Sequence, residues 1–294
     1  MHFTKRFIAE AVAAAVGFLV RLASRWVAGV EMEDALTRAE QINGKSIGAV
    51  LNVLGEHHEE RDSVETTVTE YLQLLDRIEE RRLDACISIK LSQCGIAIDQ
   101  GYCSDNVKRI LAKVKSLGGF LWIDMESSKY TDATIQIYEQ CLKEHPLVGL
   151  AVQSNLKRTE EDVRRLLKQG GRVRLCKGAY REDPSIGYPK RADATRNYSR
   201  ILKVLYEEGD NFAVATHDNS MIEEALELSK KHQKTFEFQF LQGVRESTAI
   251  ELAAKGYRVL EYVPYGPRWL AYFMRRLRER PFNVITMFRS LVSG

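Results

Sequence analysis

The chain has 294 residues, 45% of them hydrophobic and 28% charged, with a net charge of +3. This suits a soluble globular protein with one sizeable core, and the charge excess is too small to argue for a nucleic-acid binder. The five cysteines, Cys86, Cys94, Cys103, Cys141 and Cys176, are odd in number and form no Cys-x-x-Cys. Neither a disulfide framework nor a zinc site is suggested, no metal is expected, and a reducing, cytoplasmic setting fits. The six histidines show no metal spacing, and the adjacent His57 and His58 read as solvated.

At the N-terminus Lys5-Arg6 precedes an apolar stretch from Phe7 to Val20. It is too short to span a bilayer and contains Glu10. Arg21 and Arg25 continue a helical pattern instead of marking a cleavage site. An amphipathic helix packed on the domain, or lying on a membrane surface, is expected there, within a helical arm over 1–44. Eight short apolar runs follow: Ile47–Leu54, Ala85–Leu91, Phe120–Met125, Val148–Gln153, Arg172–Lys177, Phe212–Thr216, Phe236–Leu241 and Tyr257–Val263. Between them lie amphipathic stretches such as Glu65–Arg82, Asp105–Leu117, Thr131–Lys143 and Thr159–Gln169. Continuous apolar strands alternating with helices predict a parallel sheet covered on its outer face. Eight such units predict an α/β fold, a (β/α)8 barrel over 45–294. A doubly wound sheet is the competitor, but the Gly-x-Gly-x-x-Gly that would mark it is absent.

Barrel sites gather at the C-terminal ends of the strands. There stand Glu56, Lys90, Asp124 with Glu126, Gln153, Lys177, Thr216-His217-Asp218, Gln239 with Gln242, and Tyr262 with Tyr265. Each can hydrogen-bond or carry charge. The fifth end reads Arg174-Leu-Cys-Lys-Gly-Ala-Tyr180. Glycine lets a ligand approach the backbone there, and lysine offers charge to a phosphate or carboxylate. A final helix is expected over 268–280, ending before Pro281. Its spacing sets Tyr272, Arg275, Arg276 and Glu279 on one face and Leu270, Phe273 and Leu277 on another. Paired arginines beside a tyrosine suit a carboxylate, although a solvated basic helix, or a basic surface for lipid or nucleic acid, would carry the same residues.

Ile89-Lys-Leu-Ser92, Ile123-Asp-Met-Glu126, Val152-Gln-Ser154, the Lys177-Gly-Ala-Tyr180 stretch, Ala215-Thr-His-Asp218, Phe236-Glu-Phe-Gln239, Tyr262-Val-Pro-Tyr-Gly266 and Tyr272-x-x-Arg-Arg-x-x-Glu279, in this order, resemble the proline dehydrogenase family. The match covers nearly the whole chain, including Trp26-Val-Ala-Gly29. The resemblance implies a barrel that oxidises L-proline to Δ1-pyrroline-5-carboxylate by hydride transfer to FAD, with electrons passing to a quinone. It implies catalytic roles for Asp124 and Arg174. It implies proline binding by Lys90, Tyr262, Tyr272, Arg275, Arg276 and Glu279. FAD contacts fall to Met125, Gln153, Arg174, Lys177, Gly178, Ala179, Tyr180, Thr216 and His217, with Arg191, or alternatively Lys190, reaching the pyrophosphate. The chain is too short for a second, aldehyde-oxidising domain, so a separate pyrroline-5-carboxylate dehydrogenase is expected downstream. Peripheral contact with the inner face of the membrane is a further expectation. Cys176 stands where an aliphatic residue is usual, Asp218 where Asn is frequent and Thr195 where an acid is common. The residues alone leave open a barrel aldolase using Lys90 or Lys177 as a Schiff-base nucleophile, and a non-enzymatic protein binding membranes through its basic terminal helices.

Overall fold

The computed structural model describes residues 23–279, with side chains to 276. The helix expected at 7–20 and the chain after 279 lie outside the described residues. Eight parallel strands close into one barrel in sequence order, with β8 returning to β1. They are β1 (Gly48–Val53), β2 (Ala85–Lys90), β3 (Leu121–Asp124), β4 (Val148–Gln153), β5 (Arg172–Cys176), β6 (Asn211–Ala215), β7 (Thr235–Leu241) and β8 (Arg258–Tyr265). The closed sequential order sets aside the doubly wound sheet, which stays open and reverses its strand order.

The helices are α1 (Met32–Asn43) before β1, then α2 (Arg61–Glu80), α3 (Gln100–Ser116), α4 (Thr131–Glu144), α5 (Thr159–Lys168), α6 (Arg191–Glu208), α7 (Asn219–Lys231) and α8 (Glu246–Ala254) between strands, and α9 (Trp269–Glu279) after the last. Helix α3 starts earlier than its apolar periodicity suggests, because the Asp99 carboxylate accepts the Tyr102 N–H at 2.8 Å and caps it. Helix α1 belongs to the main core: Ala35, Leu36, Ala39 and Ile42 are buried in the same cluster as the outer faces of the strands. No helix among the described residues is long and apolar enough to cross a membrane.

Side chains alternate between the two faces of each strand. On β7, Phe238 and Phe240 join the apolar layer beneath the helices, whereas Glu237 and Gln239 reach into the lumen toward Arg172 and Arg174. A fully buried Trp122 occupies the lower lumen. Gly149 of β4 makes room for it, since a Cβ at that position would lie 2.4 Å from the indole ring. Gly149→Ala must therefore shift a ring already packed against strands. A loss of roughly 1–3 kcal/mol is expected, read as a lower urea midpoint at unchanged m-value; an unchanged midpoint would show that the floor tolerates the methyl.

Candidate active site

The upper lumen is charged. Lys90 Nζ, at the end of β2, donates to Asp124 Oδ2 at 3.1 Å, to Asn52 Oδ1 at 3.2 Å and to the Tyr262 hydroxyl at 3.4 Å. Tyr262 donates to Asp124 Oδ2 at 2.7 Å, and Ser88 Oγ donates to Asp124 Oδ1 at 2.8 Å. Arg174 Nη2 pairs with the same Oδ1, so one carboxylate sits between two cations. Burial alone would raise the Asp124 carboxyl, but the Lys90 ammonium and the Arg174 guanidinium outweigh it and hold the group well below the usual carboxylate range. Burial pulls Lys90 down, yet Asp124 foremost and then Glu56 leave it above an ordinary lysine. Burial followed by the Asp124 charge lifts the Tyr262 hydroxyl well above its normal range, so it stays protonated. Arg172 and Glu237 continue the network downward. Three cations against two carboxylates leave one positive charge in excess.

Helix α9 lies over this cluster. Phe273 is fully buried and Tyr272 nearly so, packed with Trp26, Val27, Leu54 and Val244. The Trp26 and Phe273 ring centroids are 5.8 Å apart. Arg275 and Arg276 carry their guanidinium carbons 5.6 and 5.3 Å from the Tyr272 ring centroid. Arg275 Nη1 donates to Glu56 Oε1 at 3.2 Å, a strap from the last helix to the end of the first strand. Leu270 departs from its expected place beside Phe273: it is exposed, as is Met274. His58, expected to be solvated, is buried, because its backbone N–H turns inward to the Ser92 carbonyl.

Along the exit of β5 the surface changes character. Lys177 Nζ pairs with Asp218 Oδ2 at 3.0 Å. Gly178 adopts φ 106°, and a Cβ there would lie 2.2 Å from Asn155 Oδ1. Gly178 and Ala179 are exposed, so the backbone itself forms this edge. Gln153 Nε2 donates to the Glu126 carbonyl at 2.6 Å, while its Oε1 is buried with no hydrogen-bond partner among the described residues. His217 Nε2 accepts the Leu241 N–H at 3.0 Å, which places the proton of the neutral ring on Nδ1. Arg191 is the first residue of the 18-residue helix α6 and is exposed.

The family model for "Proline dehydrogenase" matches residues 35–285. Proline dehydrogenase 1 of Bacillus subtilis is 32% identical over 92% of this chain and 90% of its own length. The Proline dehydrogenase of Deinococcus radiodurans is 33% identical over 93% and 91%. The chain belongs to the proline dehydrogenase family. Among solved structures, proline utilization A from Bdellovibrio bacteriovorus superposes with a TM-score of 0.85 at 20% identity, over 94% of this chain. That from Corynebacterium freiburgense gives 0.77 at 21% identity, over 98%. This chain spans about a third of each of those proteins, 34% in both cases, and at that identity the likeness concerns the fold.

In this proline dehydrogenase fold, Lys90, Asp124, Arg174 and Tyr262 are brought into one network, and Tyr272, Arg275 and Arg276 are placed above it. Tyr180 lies close enough to Glu56, Lys90 and Arg275 to feel their charges. Thr216 is buried beside His217, where its Oγ1 accepts the Asp218 N–H at 3.2 Å. Met125 is not brought to the cluster: it packs in the apolar layer between strands and helices. Tyr265 likewise turns outward into that layer, toward Glu70 of α2. The Glu279 side chain lies outside the described residues. Cys176 faces Arg174, and burial pushes its thiol to about 11, so it is protonated at neutral pH. Sequence reasoning missed Asn52 and Ser88, both fully buried and both bonded into the cluster. A polar residue inside an otherwise apolar strand run was the available signal.

Proposed function

We propose that this chain oxidises L-proline to Δ1-pyrroline-5-carboxylate with FAD as its resident oxidant, and that a quinone takes the electrons onward. The reading is carried by the Lys90–Asp124–Arg174 cluster lying beneath the arginine pair of α9 on a barrel of this family. The fit to FAD rests on four features. Gln153 Oε1 is a buried acceptor in want of a donor. The exposed Gly178–Ala179 backbone admits close approach. Lys177, Tyr180, Thr216 and His217 border the same side of the mouth, leaving Met125 with the weakest claim to a contact. Arg191, with Lys190 before it, offers cations and free N–H groups at a helix N-terminus, as a pyrophosphate requires.

Bound FAD would supply the two-electron oxidation by accepting the hydride from the ring carbon next to the proline nitrogen. The chain's own residues do the rest. Arg275 and Arg276 bind the carboxylate, for which a guanidinium pair is well shaped. Lys90 adds a third positive group below them. These cations, with Arg174, also disfavour a protonated amine, so proline is held as the neutral form that can lose hydride. Asp124 is a poor base, because the Lys90 and Arg174 charges hold its carboxyl well below the usual carboxylate range and so disfavour the protonated form. It locks Lys90, Arg174 and Tyr262 in place. Arg174, fixed beneath the reacting atoms, stabilises negative charge arising on whichever group receives the hydride. Tyr180, Tyr262 and Tyr272 limit the access of water. The product is proposed to pass to a separate pyrroline-5-carboxylate dehydrogenase, and the setting to be the cytoplasm with peripheral contact at the membrane.

A pH dependence follows. Asp124 titrates below, and Lys90 and Tyr262 above, the neutral range. Thus kcat/KM for proline is expected to rise with pH as free amine forms, without a break from these three groups. A fall between pH 6 and 8 would contradict this assignment.

The aldolase alternative needs a lysine amine that is neutral and free to attack; Lys90 is held charged by Asp124, and the Lys177 amine is engaged by the Asp218 carboxylate at 3.0 Å. The deciding experiment is a flavin spectrum of the purified protein, with and without added FAD, followed by anaerobic addition of proline. Bleaching of the flavin band is expected. The Bdellovibrio protein is described as inactivated by N-propargylglycine, and the same treatment is expected to abolish bleaching here. A colourless protein that traps a carbonyl substrate on borohydride treatment would favour the aldolase instead.

A further inference from the structure

We propose that Glu237 and Gln239 are positioning residues that fix the rotation of the Arg174 guanidinium, and through it the aim of the positive charge facing the reacting atoms. The inference rests on the reading of Arg174 given above. An amide side chain has a donor end and an acceptor end, and its partners decide which way it lies. Gln239 Nε2 donates to Glu237 Oε1 at 2.6 Å, and Arg172 Nη2 donates to Glu237 Oε2 at 2.8 Å. A carboxylate paired in this way accepts and does not donate. It therefore selects the NH2 end of Gln239, leaving Oε1 to accept from Arg174 Nη1 at 3.3 Å. With the amide turned over, Nε2 would meet a guanidinium N–H and Oε1 would meet a carboxylate. Both mismatches would be buried, since Glu237 and Gln239 are only 5% and 3% exposed, and unpaired buried groups are costly.

The order is imposed from below. Arg172 is held against the Phe120 ring, 4.3 Å from its centroid, and orients Glu237. Glu237 orients Gln239, and Gln239 engages Nη1 of Arg174. On the opposite side Arg174 Nη2 is held by Asp124 and by Ser88 Oγ at 3.2 Å. Anchors on two different nitrogens define the plane of a rigid guanidinium. With the Nη1 anchor removed, the Nη2 end stays with Asp124 and Ser88 while the Nη1 end can shift across the Trp122 and Tyr262 rings, 5.0 and 5.7 Å from the guanidinium carbon. Arg172 and Glu237 lie two residues deeper along their strands than Arg174 and Gln239. Their route to the chemistry therefore runs through Arg174.

Gln239→Met keeps the length of the side chain and removes both hydrogen-bonding ends. Crystal structures of this variant without added cofactor are expected to show Arg174 Nη1 displaced. In the FAD-reconstituted protein the rate of flavin reduction by proline is expected to fall about ten-fold, while the proline dissociation constant changes less than about three-fold. Gln239→Glu is the second variant. It keeps an acceptor for Arg174 but sets a carboxyl against Glu237, so reduction, taken relative to wild type at the same pH, should recover as the pH is lowered and one of the two takes a proton. Loss of packing alone would produce no such recovery. An unmoved Arg174 in Gln239→Met, or a displaced one with the wild-type reduction rate, overturns the proposal. If the wild-type flavin is not bleached by proline, the reaction assigned to the site fails. The positioning claim is then decided by the crystal structures alone: a displaced guanidinium upholds it and an unmoved one overturns it.

Discussion

Asp124→Asn is expected to slow proline oxidation by about two to three orders of magnitude, and to destabilise the fold by about 2–4 kcal/mol. The carboxylate sits between Lys90 and Arg174, both buried. An amide of the same shape leaves the connected network with two positive charges in excess instead of one. Its NH2 end must also face one of the donors that the carboxylate satisfied: Lys90, Arg174, Ser88 or Tyr262. The stability effect has a sign in pH. Asp124 is depressed in the folded chain, so its contribution is present above the unfolded carboxylate value of about 3.9 and lost as the pH falls below it. Lys90 is raised, so its contribution is present below about 10.4 and lost as the pH rises through the folded value. Urea midpoints measured from pH 3 to 7 should therefore fall toward acid in the wild type and run flatter in Asp124→Asn. Parallel curves would mean that the carboxylate is not the group holding the cluster together.

Arg275→Met is expected to raise the KM for proline about a hundred-fold, with kcat within a few-fold of wild type and FAD affinity unchanged. Two features separate these effects. The guanidinium reaches the mouth and Glu56, whereas helix α9 is anchored by Phe273 and Tyr272 in an apolar cluster of its own. Truncating the charge therefore leaves the helix seated. Arg276→Met should behave likewise. Titrations of apoprotein with FAD and of the holoprotein with proline test the point, and an equal weakening of both would remove the carboxylate from these arginines.

Much of this arrangement was legible in the sequence, for identifiable reasons. Each lumen-lining strand of a parallel barrel is buried on both faces, so it appears as an unbroken apolar run, and the run's polar terminus marks the mouth. That logic located Lys90, Asp124, Gln153 and Lys177. It could not say which face a residue takes when a strand ends in two candidates. Tyr262 and Tyr265 are three apart, so one enters the lumen and the other joins the outer layer. Met125 follows Asp124 and faces the opposite way for the same reason. The roles of the buried polar residues Asn52, Ser88 and Glu237 were not legible for another reason: each stands out as a polar residue in an apolar run, but its partners come from other strands and other helices. Asn52 is oriented by donating to the Tyr71 hydroxyl of α2 at 3.2 Å and to the Ser88 carbonyl at 2.9 Å. Such long-range pairings leave no local periodicity. The start of α3, by contrast, was signalled locally by Asp99, and periodicity alone passed over it.

The apolar cluster joining Trp26 and Val27 to Phe273 makes the roof of the barrel a composite of both ends of the described chain. Further stitches reinforce it: Ala28 N–H to the Pro264 carbonyl at 2.9 Å, Gln242 Nε2 to the Ser24 carbonyl at 3.1 Å, and Arg25 Nε to the Gly243 carbonyl at 3.3 Å. This cluster is separate from the main core, so it can open without the barrel opening. If α9 binds proline as proposed, substrate affinity is tied to a sub-global equilibrium rather than to global unfolding. On warming, or in low urea, proline binding should fade while the barrel amides remain protected from hydrogen exchange. During synthesis the Asp124 carboxylate and its cations would be assembled before the part of the roof that α9 contributes, because α9 leaves the ribosome last among the described elements.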